Sequence, residues 1–344
     1  MKKYCAIILF FAALLAFSCS KKESTPAIFG HEELQATSLA TRAVGSKTPS
    51  TFVYVETNDV NPLNAMYYYL ADDTPLFDYV CFFSSNIHKT TVGTQVQPTL
   101  YFNPELTPYV CNNGSPVTTY TDAIHENGQE AILGVLGDWV GLGLSNMDAT
   151  QQYQFAYILC CVVTQCGFDG VLFDDEYSGT DSVISGSYTG IISYFKQLCP
   201  TKKVFVFDWG GTEYISSSVA SLIEDVHHGY FGYYLPVSYC DTPGIGASQW
   251  SPISLLLGNT YSTNALNTIQ SWAAQAVNDG YDQIMFFNLR TYCEVNPLPV
   301  LNKIATGAGY PTPVIYDGEC TAQLTPVSGG CTITYDMALN CCGN

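Results

Sequence analysis

The sequence predicts an α/β fold: a (β/α)8 TIM barrel with a short Cys-rich C-terminal extension. From Thr51 to residue 306 the chain repeats one unit, a short run of apolar, β-branched and aromatic residues followed by a longer helical stretch. The unit recurs eight times over roughly 250 residues, the usual size of such a barrel. No Gly-rich phosphate fingerprint follows the first run, which deprives the competing doubly wound sheet of its nucleotide signature.

The expected strands are residues 52–56, 79–84, 131–136, 170–173, 204–207, 229–234, 253–257 and 283–287. Apolar runs separated by helices indicate parallel strands buried on both faces. Barrels carry their chemistry at the C-terminal ends of the strands. Those ends hold Glu56 and Asn58, Ser85 and Asn86, Asp138 and Trp139, Asp174 and Glu176, Asp208 and Trp209, Tyr233 and Tyr234, Asn259, and Asn288 with Arg290. Carboxylates, amides and aromatics dominate that rim, as in a sugar cleft.

Composition narrows the function. The chain has 344 residues, 30 acidic against 12 basic, and a formal net charge of −18. Only 12% of residues are charged while 47% are hydrophobic, which suits a packed globular protein. The acidic balance argues against nucleic acid as a partner. Tyrosine is abundant (25 residues), and flat aromatic faces suit sugar rings.

The chain divides into residues 1–18, 19–50, 51–306 and 307–344. Lys2 and Lys3 precede an uncharged apolar run from residue 6 to 17, too short to span a bilayer core of ~30 Å as a helix. It ends in Ala16-Phe17-Ser18-Cys19, which resembles a bacterial lipobox, although Ala16 stands where leucine is more usual. An ordinary secretory peptide is the alternative, and both readings export the protein. The lipobox reading makes Cys19 the lipidated N-terminus of an exported bacterial lipoprotein, held at the outer membrane on its periplasmic or cell-surface side. Residues 19–50, rich in Ser, Thr and Ala, read as a flexible tether.

Cys5 would leave with the signal and Cys19 would take lipid, so twelve cysteines remain, an even number suited to an oxidising compartment. On the apolar helix, Cys160, Cys161 and Cys166 read in part as buried thiols. No metal site is expected, because the five histidines lie away from paired cysteines. The residues point to no cofactor. His227-His228 reads as a strand-start pair, and Tyr67-Tyr68-Tyr69 as loop packing.

The most informative stretch runs Gly167-Phe168-Asp169-Gly170-Val171-Leu172-Phe173-Asp174-Asp175-Glu176-Tyr177. Side chains alternate along a strand, so Leu172, Asp174 and Glu176 share the face turned into the barrel mouth. Two carboxyls two residues apart on one face lie within ~7 Å, and one ionised group raises the pKa of its neighbour. A loop cap or a Ca²⁺ ligand set is the alternative for this Asp-Asp-Glu.

This stretch resembles the Asp-x-x-Asp-x-Asp-x-Glu signature of glycoside hydrolase family 18, and more narrowly its endo-β-N-acetylglucosaminidases of the Endo H and Endo F type. Tyr54 to Asn58, Phe77 to Ile87, Leu136-Gly137 with Gly141 and Gly143, and Tyr281 to Leu289 are also similar to those enzymes. The resemblance implies hydrolysis of the GlcNAc-β-1,4-GlcNAc bond in the core of N-linked glycans by a retaining, substrate-assisted mechanism. Carried over by position, Glu176 is the acid and then the base, and Asp174 orients the 2-acetamido group. Tyr233 helps hold that group, and Glu56, Asn86, Asp138, Trp139 and Asn288 bind substrate. A monomer acting on glycoproteins is expected. A chitinase and a catalytically silent glycan-binding lipoprotein are the alternatives.

Two positions depart from the family pattern. Leu172 stands in place of an inner aspartate, and Gly134 in place of a third-strand serine. The expectation is that Asp174 stays turned towards substrate and that activity survives with an altered pH profile. Trp139 and Trp209 read equally as sugar platforms or rim packing. The tail reads as a small strand-rich extension, without helical period, stapled by disulfides.

Overall fold

The structure is a computed structural model that describes residues 47–112, 114–137, 140–176, 182–318 and 320–342. Ser50–Glu56 forms the first strand, and its apolar residues are buried on both faces. It pairs in parallel with the second strand, Tyr79–Val92, and with the eighth, Gln283–Phe287. Between them the ladder runs through Glu130–Leu136, Gly170–Asp174, Lys203–Asp208 and Asp225–His228, parallel throughout. The seventh strand comes in two pieces, Trp250–Ser251 and Ile253–Leu256. Its first piece pairs with the sixth strand and its second with the eighth, so chain continuity across Pro252 closes the ring. Proline has no N–H to give a ladder, so the break falls there. The Pro252 carbonyl accepts from Leu235 N and lies 2.9 Å from His228 Nε2.

Alternation sorts the strand residues into two cores. Phe52, Tyr54, Cys81, Phe83, Ile132, Leu172, Phe205, Phe207 and Met285 fill the barrel interior. Their neighbours, among them Val53, Val80, Leu133, Val171 and Val204, face outward beneath the helices.

The helices follow local signals. Asp148 caps Ala149–Gln165 with a full capping box to Gln151, and Ser262 caps Thr263–Asp279. Gly280 and Gly309, at φ of 76° and 75°, end Thr263–Asp279 and Leu298–Ala308 in the left-handed conformation that glycine adopts freely.

Four features differ from the sequence expectation. The sixth strand is Asp225–His228, upstream of residues 229–234. Its His227 meets Tyr54 and Gln283, while the aromatic run that mimicked a strand lies along the rim. No α-helix follows the fifth or sixth strand, only short 3-10 turns, because Gly210-Gly211, Pro236 and Pro243-Gly244 interrupt those connections. The second strand overshoots the barrel and turns back as a hairpin whose return arm is Gln95–Phe102. The tail contains a helix, Tyr335–Cys342, packed on Ala149–Gln165.

Disulfides Cys160–Cys199, Cys161–Cys342 and Cys293–Cys320 staple this assembly, so Cys160 and Cys161 are not thiols, whereas Cys166 is. In the tail, Ile315–Tyr316 pairs with Tyr68–Tyr69, and Cys331–Ile333 pairs with the hairpin's return arm. Among the described residues no helix is long and apolar enough to cross a membrane.

Candidate active site

Asp174 ends the fourth strand, and its backbone carbonyl accepts from Gly137 N at 2.9 Å. Its side chain is buried and Oδ1 has no hydrogen-bond partner. Burial, and then the nearby Glu176 and Asp175, hold its pKa well above the usual carboxylate range. Glu176 follows two residues on, past the strand end, and is exposed. One strand end thus presents a desolvated carboxyl with a free acceptor beside a carboxyl open to solvent.

Asp175, between them, faces the other way and is fully buried. Ser145 Oγ donates to its Oδ2, and Leu144 N donates to Oδ1 at 3.3 Å. A Cβ on Gly137 or on Gly211 would lie 2.9 Å from one of its oxygens, so glycine is required where the third and fifth strands' loops close around it. Sequence reasoning passed over Asp175, yet alternation sets it apart. A carboxylate aimed at the wall needs donors, and Ser145 in the Gly-rich loop supplies one.

Below Asp174 the barrel is apolar. Leu172 is fully buried and lies in register with Gly134 on the third strand. Phe83 lies against Gly134 and fills the space where a serine side chain would stand. The lost aspartate and serine are thus replaced by packed carbon. Deeper still, Tyr54 Oη lies 2.8 Å from His227 Nδ1, and His227 Nε2 contacts Gln283 Oε1. Burial pushes His227 down to about 3, which leaves its imidazole neutral near pH 7. Asp225, whose pKa burial raises, lies 3.6 Å away, and a neutral imidazole forms no ion pair with it. The two histidines close the sixth strand and do not open it; His228 is buried against Pro252.

Aromatic side chains crowd the mouth. Trp209 and Tyr230 are 44% and 55% exposed, with their rings edge-to-face at 5.4 Å. Phe231 stacks on Phe287 at 4.9 Å and on Phe207 at 6.1 Å, lidding the interior. Tyr233 is 60% exposed and belongs to Tyr233–Tyr234, a short strand antiparallel to the seventh and off the sixth. Tyr234 Oη donates to Asp279, which takes it out of the mouth.

The remaining expected residues spread round the rim. Glu56 ends the first strand half-buried; burial and then Asp59 raise its pKa, against Arg290, which is paired with Asp59 at 2.6 Å. Asn288 follows the eighth strand at φ 44°, a left-handed position asparagine tolerates, and its buried Oδ1 has no partner. Asn86 is half-buried where the second strand leaves the barrel. Asp208 is committed to Thr212 Oγ1 at 2.5 Å and Asp241 N at 3.1 Å. Asp138, Trp139 and Cys19 lie outside the described residues. Among the described residues no cluster of three or more His, Cys, Asp or Glu is arranged to hold a metal ion.

No protein-family model matches the chain. An endo-β-N-acetylglucosaminidase of Flavobacterium sp. (strain SK1022) is 27% identical over 248 residues, covering 70% of this chain and 75% of its own. Endo-β-N-acetylglucosaminidase F1 of Elizabethkingia meningoseptica is 27% identical over 346 aligned residues, covering 93% of this chain and 95% of its own. Among solved structures, EndoBT-3987 of Bacteroides thetaiotamicron with a Man5GlcNAc product superposes at a TM-score of 0.65 and 23% identity, covering 85% of this chain and 68% of its own. The same protein with a Man9GlcNAc2Asn substrate also gives 0.65, at 22% identity, covering 82% and 70%. At these identities the superposition speaks for a shared fold. In sequence the chain is thus similar to endo-β-N-acetylglucosaminidases, and in fold to EndoBT-3987.

Proposed function

We propose that the chain is an endo-β-N-acetylglucosaminidase that cuts the GlcNAc-β-1,4-GlcNAc bond in the core of N-linked glycans and leaves one sugar on the protein. The carrying observation is the end of the fourth strand, where Asp174 is buried with a partnerless Oδ1 and Glu176 is exposed beside it. Glu176 gives its proton to the glycosidic oxygen as the bond breaks, then takes one from the incoming water. The acetamido N–H of the substrate satisfies Oδ1 of Asp174. As that acetamido oxygen closes on the anomeric carbon, the positive charge growing on the oxazolinium ring draws Asp174 towards its carboxylate form. Two displacements at one carbon retain the β configuration. Tyr233, Glu56, Asn86, Asp138, Trp139 and Asn288 complete the substrate cleft in this reading.

The same reading takes residues 1–18 as an export signal, Cys19 as the lipid anchor and residues 19–50 as the tether of a monomeric, membrane-held lipoprotein. Labelling with a radioactive fatty acid, lost on Cys19→Ala, tests the anchor.

Activity is tested on a glycoprotein bearing high-mannose glycans, followed by mass spectrometry with the Glu176→Gln variant in parallel. Loss of the glycan with one N-acetylglucosamine retained, absent in the variant, is the expected result. Leu172 and Gly134 favour a second reading, a barrel that binds glycan without cutting it. Binding by both proteins with no mass change would select that reading. Turnover of unbranched N-acetylglucosamine oligomers alone would mark a chitinase.

A further inference from the structure

Glu176 is exposed, and an exposed side chain takes its direction from the backbone that carries it. That backbone is held through Asp175, which is fully buried. Asp175 Oδ1 accepts from Leu144 N at 3.3 Å, and Oδ2 accepts from Ser145 Oγ. Two further loops shut on the same peptides. Gly137 N donates to Asp174 O at 2.9 Å, and a Cβ on Gly210 would lie 3.2 Å from the Asp175 carbonyl oxygen. The segment that grips Asp175 also grips the chain farther on. Ile184 N donates to Ser145 O at 2.9 Å, Ser187 Oγ donates to Leu144 O at 2.5 Å, and Met147 N donates to Ser187 Oγ at 2.9 Å. Ser187 opens the helix Ser187–Leu198. Leu144, Ser145, Met147 and Ser187 are each 1% exposed or less, so water does not compete for these bonds. Residues 144–147 thus hold the fourth-strand loop at both ends, and the Asp175 carboxyl is a side-chain tie at the end that carries Glu176.

We infer that Asp175 is a positioning residue for Glu176: by pinning the strand end to Leu144 and Ser145, it holds the acid's carboxyl in line with the glycosidic oxygen. The inference rests on the reaction proposed above, in which the Glu176 proton passes to that oxygen as its bond to the anomeric carbon breaks. General acid catalysis contributes about 10²–10⁴-fold, and misplacing a reacting group by about 1 Å costs on the order of 10²-fold. Asp175 faces away from the mouth and acts through the peptide it shares with Glu176. Its loss should therefore appear in the step that needs a proton and spare a cleavage that needs none.

Two substrates separate a misaimed acid from general damage. One is a high-mannose glycopeptide, whose departing sugar must be protonated. The other is a 2,4-dinitrophenyl β-glycoside of a mannosylated N-acetylglucosamine, whose phenolate departs without a proton. In both, the acetamido oxygen closes on the anomeric carbon. In Asp175→Ala, kcat and kcat/KM on the glycopeptide are expected to fall together by about thirtyfold or more with KM unchanged. On the dinitrophenyl glycoside, kcat/KM should fall by less than about threefold. Asp175→Asn, whose amide can still accept from Leu144 N and pair with Ser145 Oγ, should recover most of the loss. If Asp175→Ala does not fold, Ser145→Ala carries the same comparison, with a loss in the same direction. Equal losses on the two substrates, or no loss on the glycopeptide, overturn the inference and leave the reaction standing, since the parent still cuts. A parent that does not cut the glycopeptide overturns the reaction and this inference with it.

Discussion

The ring of Phe83 stands where a side chain on Gly134 would have to go: a Cβ there would meet Phe83 Cδ2 at 2.8 Å and the Phe82 carbonyl oxygen at 3.2 Å. Leu172, in register with Gly134, packs in the same interior cluster. The polar support expected beneath Asp174 is therefore absent as a unit, and restoring one member of it meets a core built for its absence. Leu172→Asp places a carboxylate among Phe83, Phe205 and Phe207, and is expected to cost about 3 kcal/mol or more. Gly134→Ser is expected to cost about 1–3 kcal/mol through overpacking, relieved by Phe83→Ala. Thermal melts of the single and double variants check both, and an unshifted Leu172→Asp melt would contradict this account of the core.

Asp174 carries a stability signature of its own. Its pKa is raised in the folded protein, so its contribution is fully present below the unfolded value of about 3.9 and is lost as pH rises through the folded one. Asp174→Asn should match the parent's stability near pH 4 and exceed it at pH 8, while cleavage falls on the order of 10²-fold or more. Denaturant midpoints at the two pH values, with rates alongside, are the measurement. A variant less stable than the parent at pH 8 would mean that Asp174 has found a partner.

The sixth strand predicts acid sensitivity. Burial pushes His227 down to about 3 and His228 to about 4, both below the unfolded value of about 6.5. Their contribution is present above pH ~6.5 and drains away as pH falls towards those folded values, at about 1.4 kcal/mol per pH unit for each imidazole. Asp174 and Asp225, with raised pKa values, work in the opposite direction from about pH 4 upward and offset part of this. Urea midpoints of the parent should therefore drop further between pH 7 and 5 than those of His228→Gln, by a slope difference of about one proton. An equal slope in both proteins would place the titration elsewhere.

Cys111 and Cys331 have their sulfurs 3.2 Å apart, joining a short strand of the barrel side to the tail. The Cys331 sulfur beside it pulls the Cys111 thiol's pKa down. Attack on a disulfide-bearing oxidant, followed by Cys331 displacing it, would close Cys111–Cys331 and release the oxidant as a dithiol. Peptide mapping of non-reduced protein exposed to such an oxidant should find this pair, and Cys331→Ser should lower the melting temperature. Ready alkylation of both cysteines after that exposure would refute the pairing.

What the amino-acid pattern reveals depends on whether a residue's neighbours are local. The apolar strands are legible because burial on both faces needs nothing but hydrophobicity, and Asp174 and Glu176 are legible because alternation is local. The sixth strand hides because its buried histidines and Asp225 rely on Tyr54, Gln283 and Ser251 from other strands. The departures at Leu172 and Gly134 can be read directly. Their replacement by Phe83 cannot, since it rests on contact between strands about 50 residues apart.

The pairing of Ser50 with Gln283 sets a timetable. The first strand has only one of its two neighbours until the eighth emerges, and parallel strands gain nothing from a local hairpin. During synthesis Phe52 and Tyr54 must wait, uncovered on one side, while more than two hundred residues follow them. A chain cut anywhere before residue 283 therefore keeps an open sheet edge, so premature termination should yield aggregating fragments and no small stable barrel.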